Sequence, residues 1–112
     1  MSKEEIQKIR TLYEAINKIL DFTKGMKTVE DLTSNIMAWD AVKMNLVVIY
    51  ETDLKIDPEF KKKHKSVNWE QIKDNKPIIE SRYLGFDSIE IWKAIHDKLP
   101  EFKKQIETII QL

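Results

Sequence analysis

Apolar residues recur at helical spacing along most of the chain. Ile6, Ile9, Leu12, Tyr13, Ile16, Ile19, Leu20 and Phe22 fall at steps of three and four, which predicts one core-facing helical stripe. Gly25 follows where a left-handed C-terminal cap is wanted, so this helix is expected from about Lys3 to Lys24. Thr28-Val29-Glu30-Asp31 offers a capping hydroxyl and first-turn acids for a short helix reaching about Asn35. The most apolar stretch runs from Ile36 to Ile56, where Met37, Trp39, Val42, Met44, Leu46, Val47, Val48, Ile49 and Tyr50 leave few polar gaps. A helix apolar on most sides is expected in the middle of a bundle. Leu46 to Tyr50 alone would suit a buried strand, but no turn brackets it and no second strand exists to pair with it.

Asp57-Pro58 starts a new element, with Pro58 at a favourable first helical position, and it runs through Phe60 into Lys61-Lys62-Lys63-His64-Lys65. Asn68 caps a further short helix through Trp69, Glu70, Gln71 and Ile72. Pro77 falls where that helix would continue; a proline in a helix interior costs about 3 kcal/mol, so a break or kink is expected at Asn75-Lys76-Pro77. Gly85 allows a turn, and Asp87-Ser88-Ile89-Glu90 is a capping-box-like start to the last helix. The stripe of that helix is Ile89, Trp92, Ile95, Leu99, Phe102, Ile106 and Ile109 or Ile110, with Pro100 bending it without ending it. The pattern predicts an all-α fold, a mainly antiparallel bundle of about five helices, two of them short, in one domain over residues 1–112.

Composition narrows the chemistry. Apolar residues are 42% of the 112, enough for a core, while 19 basic and 19 acidic side chains cancel. A neutral chain has no global field to draw it onto a polyanion, so any such binding needs a local patch. No cysteine is present, which excludes disulfides and thiolate metal sites. The polar start Met-Ser-Lys-Glu-Glu reads as neither signal peptide nor anchor, and no apolar run approaches the roughly 20 residues of a spanning helix. A cytoplasmic protein without a membrane partner is the expectation.

The two histidines, His64 and His96, are far apart and form no ligand pattern, and no glycine-rich phosphate loop exists, so neither metal nor cofactor is implied. His96 is expected at the edge of the core beside Trp92 and Leu99, and His64 in solvent. Lys61, Lys62, Lys63 and Lys65 could contact an RNA backbone or an acidic partner, or form an ordinary solvated helix face. Glu51 and Asp53 end the buried helix, and a carboxylate near a core must be paired; a lysine or tyrosine is the expected partner.

Several strings carry a resemblance when taken in order. They are Phe22-Thr23-Lys24-Gly25-Met26; Asp40-Ala41-Val42 with Asn45-Leu46 and Ile49-Tyr50-Glu51; Pro58-Glu59-Phe60; Val67-Asn68-Trp69-Glu70-Gln71-Ile72; Tyr83-Leu84-Gly85-Phe86-Asp87 with Ile91-Trp92; and Leu99-Pro100-Glu101-Phe102-Lys103. Together they resemble the HepT-like branch of the HEPN superfamily, small helical ribonuclease toxins paired with minimal nucleotidyltransferase antitoxins. The resemblance covers nearly the whole chain. It implies a homodimer with the functional motif near the dimer cleft, an RNA substrate, and a nucleotidyltransferase partner.

The family motif is an arginine, four residues, a histidine, one residue and a tyrosine, with an asparagine usually after the arginine. Registered on Trp69 and Tyr83, the arginine position is Lys76, the asparagine position Pro77 and the histidine position Ser81; Tyr83 alone matches. The only arginines are Arg10 and Arg82, and neither has a histidine five to seven positions on. The arginine usual before Asn45 is Met44 here, and a glycine usual before Glu51 is Tyr50.

Metal-independent RNA cleavage needs a proton acceptor for the attacking 2′-hydroxyl and a donor for the leaving oxygen, and histidine suits both near neutral pH. Ser81 exchanges no proton there unaided, and Lys76 keeps the charge of arginine but loses its two-pronged grip on phosphate. In the family the matching tyrosine accepts adenylyl groups from the partner, which implies Tyr83 as a modification site; the alternative is a ring packed on the last helix with a hydrogen-bonded hydroxyl.

Three functions stay open at this point. The first is a HepT-like protein with lost or impaired ribonuclease activity, kept as a binding partner of a nucleotidyltransferase antitoxin. The second is an active ribonuclease using Lys76, Arg82 and Tyr83, whose lysine and tyrosine would need large shifts from pKa values of about 10. The third is a helical adaptor whose Lys61–Lys65 face binds an acidic protein.

Overall fold

A computed structural model of the chain describes residues 3–73 and 86–110. The expected break at Asn75-Lys76-Pro77 and the turn at Gly85 lie outside the described residues. The described chain contains α1 (Lys3–Phe22), α2 (Val29–Thr33), α3 (Ile36–Leu54), α4 (Pro58–Lys63), α5 (Glu70–Lys73), α6 (Ser88–Asp97) and α7 (Leu99–Ile110), and no strand. The fold is all-α, and Leu46 to Tyr50 is helical throughout.

Helix α1 is the hub. Its Ile9, Leu12, Ile16 and Ile19 are fully buried, and it packs along both α3 and α7. The pairing with α3 is antiparallel, because the start of α1 meets the end of α3. Lys8 Nζ donates to the Lys55 carbonyl at 2.8 Å, and the Asp57 N–H donates to Glu5 at 3.1 Å. Tyr13 ties α1 to α7 by donating its hydroxyl to Glu107 at 2.6 Å. That bond to a carboxylate favours the protonated phenol and raises its pKa.

Local chemistry sets the helix ends. Gly25, at φ 82°, takes the left-handed conformation just beyond α1. Thr28 and Asp31 form a reciprocal capping box on α2, and the Lys27 and Thr28 backbone N–H groups hold the Asp31 carboxyl below its usual range. Asn35, expected at the end of the preceding helix, instead caps α3 by accepting the Ala38 N–H. Asp57 caps α4, with Pro58 in its first turn.

Glu5 is a buried carboxylate with two structural partners. The Lys8 ammonium at 2.8 Å and the Asp57 N–H both favour its charged form, so its pKa is lowered although burial opposes this. A lowered folded pKa adds stability above the unfolded value, and that stability is lost as pH falls through the folded value. The expected window therefore runs from about pH 4.3, the ordinary glutamate pKa, downward. In a urea titration repeated across that window, Glu5→Gln should be less stable than the parent at neutral pH and show a shallower loss on acidification. Equal slopes would mean that Glu5 does not couple folding to pH.

The last third departs from expectation. One long helix is instead two, α6 and α7, with the step at Lys98. Pro100 sits in the first turn of α7, where it has no N–H for the His96 carbonyl and its ring crowds that position. The buried face of α6 is Ile91, Ala94 and Ile95, while Ile89 is 58% exposed. Asp87 explains the rotation: its carboxylate accepts from the Ile89 and Glu90 N–H groups and fixes the first turn outside the core. Ile91 and Ile95 then face inward, and Ile89, about 200° from Ile91 around the axis, faces out. In α7, Leu99, Phe102, Ile106 and Ile109 are buried as the spacing predicts.

Helix α3 is a wall rather than a central rod. Ala38, Val42, Leu46, Ile49 and Asp53 are buried, but Met37 is 85%, Met44 63% and Leu54 65% exposed. Among the described residues, no helix is long and apolar enough to cross a membrane.

Candidate RNA or partner interface

Lys76, Ser81, Arg82 and Tyr83 lie outside the described residues, so the structure neither gathers nor separates them. It does resolve the other half of the candidate set, the lysine run on α4 and the turn after it.

The four lysines do not form one face. The Lys61 ammonium reaches back to Asp53 at 2.8 Å and lies 5.6 Å from the centre of the Trp69 ring. Asp53 is only 2% exposed, so Lys61 serves the bundle and is withdrawn from the basic patch. This is the partner that a carboxylate at the end of α3 requires. Glu51, two residues earlier, is on the solvent side. Lys62, Lys63 and Lys65 remain exposed, with Lys62 in a solvated pair with Glu59 at 3.4 Å.

The carbonyls of this segment are engaged as well. The Trp69 indole N–H is shared between the carbonyls of Lys61 at 3.2 Å and His64 at 3.1 Å. The indole in turn sits edge-on to Phe102, 6.3 Å between ring centres. Trp69 thereby fastens α4 and its following turn to α7, which holds Lys62, Lys63 and Lys65 on a fixed backbone.

Both histidines differ from expectation. His64 is half-buried as the C-cap of α4, its ring 4.4 Å from that of Phe60, rather than in open solvent. The adjacent lysines suggest a solvated residue, but the aromatic ring one turn earlier offers a better surface for imidazole. His96 is exposed, not at the core edge, with its ring 4.3 Å from Trp92 and Nδ1 2.8 Å from the Trp92 carbonyl. It follows the same rotation of α6 that exposes Ile89.

A second surface was not singled out by the sequence. Asp40, Lys43, Met44, Val47 and Phe86 line an open cleft of about 300 Å³ on the outer side of α3. Lys43 is held there 3.3 Å from Asp40, 5.1 Å from the Trp39 ring and 5.8 Å from the Phe86 ring. The available signal is the second apolar stripe of α3 at Met37, Met44, Val47 and Leu54, the first three of which the apolar pattern alone assigns to the core.

Comparison with known proteins places this HEPN-like helical bundle in a ribonuclease-type class. The family model described as Ribonuclease HepT-like matches residues 12–109, and the chain belongs to the HepT-like ribonuclease family. Among curated proteins it is 26% identical to "Putative RNase MJ1380" of Methanocaldococcus jannaschii, over 97% of this chain and all of that protein. It is 28% identical to "Putative RNase TTE0752" of Caldanaerobacter subterraneus subsp. tengcongensis, over 83% of this chain and 82% of that one. It is 25% identical to "Probable ribonuclease HepT" of Thermococcus cleftensis, over 97% and 98% of the two chains. No solved structure matches the chain significantly.

Proposed function

We propose that this chain is a HepT-like toxin-antitoxin protein that has lost most or all metal-independent ribonuclease activity and is kept as the binding partner of a nucleotidyltransferase antitoxin. The observation that carries this reading is the identity of three residues. In a chain matched to the family over residues 12–109, Lys76, Pro77 and Ser81 stand where the motif wants arginine, asparagine and histidine. Ser81 supplies no proton exchange at neutral pH, and Lys76 supplies charge without the planar fork. Tyr83 keeps the motif's acceptor for adenylyl groups, so contact with the partner outlasts the chemistry it once controlled. The withdrawal of Lys61 into the bundle leaves Lys62, Lys63, Lys65 and Arg82 as the cations for RNA or partner. A cytoplasmic homodimer of single-domain chains belongs to the same reading.

The test is incubation with total RNA and transfer RNA in EDTA, beside the variant Lys76→Arg, Pro77→Asn, Ser81→His. An inert parent and a cutting variant support the reading. A parent that cuts, and stops cutting as Tyr83→Phe, overturns it and moves the chemistry to Lys76, Arg82 and Tyr83.

A further inference from the structure

The basic segment after Phe60 is chemically uniform. Between buried Phe60 and buried Val67, residues 61–66 are four lysines, one histidine and one serine, with no apolar side chain. A protein partner asks for an apolar or aromatic centre in its contact, whereas a phosphodiester backbone asks for charge alone. Lys62, Lys63 and Lys65 are exposed and meet the second demand. Lys61 belongs to the same run but not to the same face, and one carboxylate accounts for the difference.

Asp53 sits in the last turn of α3 with its side chain 3% exposed. Its Oδ1 lies 2.8 Å from the Lys61 ammonium and is buried without an aligned hydrogen bond. The Lys61 side chain keeps 21% of its surface in water, so it is held at the boundary of the bundle and is not sealed inside it. Trp69 adds to the hold, with its ring centre 5.6 Å from the ammonium and its indole N–H donated to the Lys61 carbonyl at 3.2 Å. To an ammonium, the Asp53 carboxylate and an external phosphate are ligands of one kind, and they compete for it. The internal anion prevails. Leaving Asp53 buried without its cation costs more than ~100-fold in an equilibrium. One further lysine–phosphate contact on a single strand returns about fivefold at low salt.

We propose that Asp53 is an internal counter-anion that withholds Lys61 from the basic face, an autoinhibitory contact that keeps this face one cation short when it binds a phosphodiester backbone. The inference rests on the reading of Lys62, Lys63 and Lys65 as cations for RNA and names the group that limits them. It is independent of whether the motif retains activity.

Titration of the full chain with a short oligothymidylate across a salt series tests it. That strand has no 2′-hydroxyl to attack, so cleavage does not enter the readout. Asp53→Asn should tighten binding about fivefold at low salt and steepen the slope of log K against log salt by about 0.7, the increment of one more neutralised phosphate on a single strand. Combining Asp53→Asn with Lys61→Met should return both quantities to the parent values, which a general loosening of the fold would not do. A second measurement needs no variant. In the parent, acylation by an N-hydroxysuccinimide ester, read by mass spectrometry, should reach Lys61 at least about tenfold more slowly than Lys62 and Lys63, because the ion pair covers its nitrogen. The oligonucleotide should protect Lys62, Lys63 and Lys65 from the reagent and leave the slow rate at Lys61 unchanged. Equal slopes for the parent and Asp53→Asn, or a Lys61 acylated as fast as Lys62, overturn the withholding and leave the basic face standing. Absence of binding by either protein overturns the face itself, and the inference with it. Polyglutamate that binds more tightly than the oligonucleotide at equal charge assigns the face to acidic proteins and overturns the choice of a phosphodiester backbone.

Discussion

In EDTA, the variant Lys76→Arg, Pro77→Asn, Ser81→His is expected to cleave RNA at least about 100-fold faster than the parent chain. The lower bound comes from one group alone, since a positioned general acid–base typically contributes about 10²–10⁴-fold. Ser81→His restores a side chain that titrates near the assay pH. Lys76→Arg adds a bidentate grip on the phosphate, whose charge rises in the transition state. Pro77→Asn returns a backbone N–H and removes a ring that resists helix. The three act as a unit, so the single variants should fall far short of the product of their effects, with Lys76→Arg alone close to the parent. The rate of the triple variant should also fall as pH drops below the histidine pKa, if the neutral imidazole is the proton acceptor. A triple variant as inert as its parent, though folded, would mean that the activity was lost through residues other than these three.

Replacing Lys61 by methionine is expected to lower the unfolding free energy by about 3 kcal/mol, the scale on which a buried ion pair resists loss of one partner. Asp53 is buried at 2% exposure, and Lys61 is its ion-pair partner at 2.8 Å. The approach is oblique, so that oxygen of Asp53 has no aligned hydrogen bond to compensate the missing cation. Methionine keeps the length of the side chain over Trp69 and removes only the charge. The pair Asp53→Asn with Lys61→Met should recover most of the loss, because exchanging both partners of a buried pair is often close to neutral. Urea denaturation of the four proteins closes this cycle. A loss below about 0.5 kcal/mol for Lys61→Met, the range of a solvated surface change, would show that Asp53 is satisfied by other means.

The elements that were legible in the sequence are those governed by local rules. The α1 stripe from Ile6 to Leu20, the Gly25 stop, the Thr28 cap and the Asp57-Pro58 start each need only a few neighbouring residues to specify them, and the structure has all four; Phe22, expected on the same stripe, is instead 43% exposed at the end of α1. The errors are of a different kind. Periodicity shows that a helix has a core face but not how the capping turn rotates it, which is why Ile89 was placed inside. Apolar content shows that α3 avoids water but not whether its own chain does the covering, which is why Met37 and Met44 were placed in the core. The lysine run was legible as charge. That Lys61 turns inward depends on Asp53, eight residues back and on another helix, and no spacing rule carries that distance. The motif positions were read from the resemblance alone, since a general base and its phosphate-binding partner are recognised by type and not by periodicity.

The placement of the three tryptophans makes the protein report on itself. Trp69 is buried with its indole N–H bound to two carbonyls, whereas Trp39 and Trp92 are half-exposed. The bluest part of the emission therefore belongs to the joint between α4 and α7, and circular dichroism belongs to the long helices α1 and α3. Local openings have their own free energies, lower than that of the whole fold. A red shift that precedes the loss of helicity on heating would identify the lysine-bearing segment as the first part of the molecule to come away.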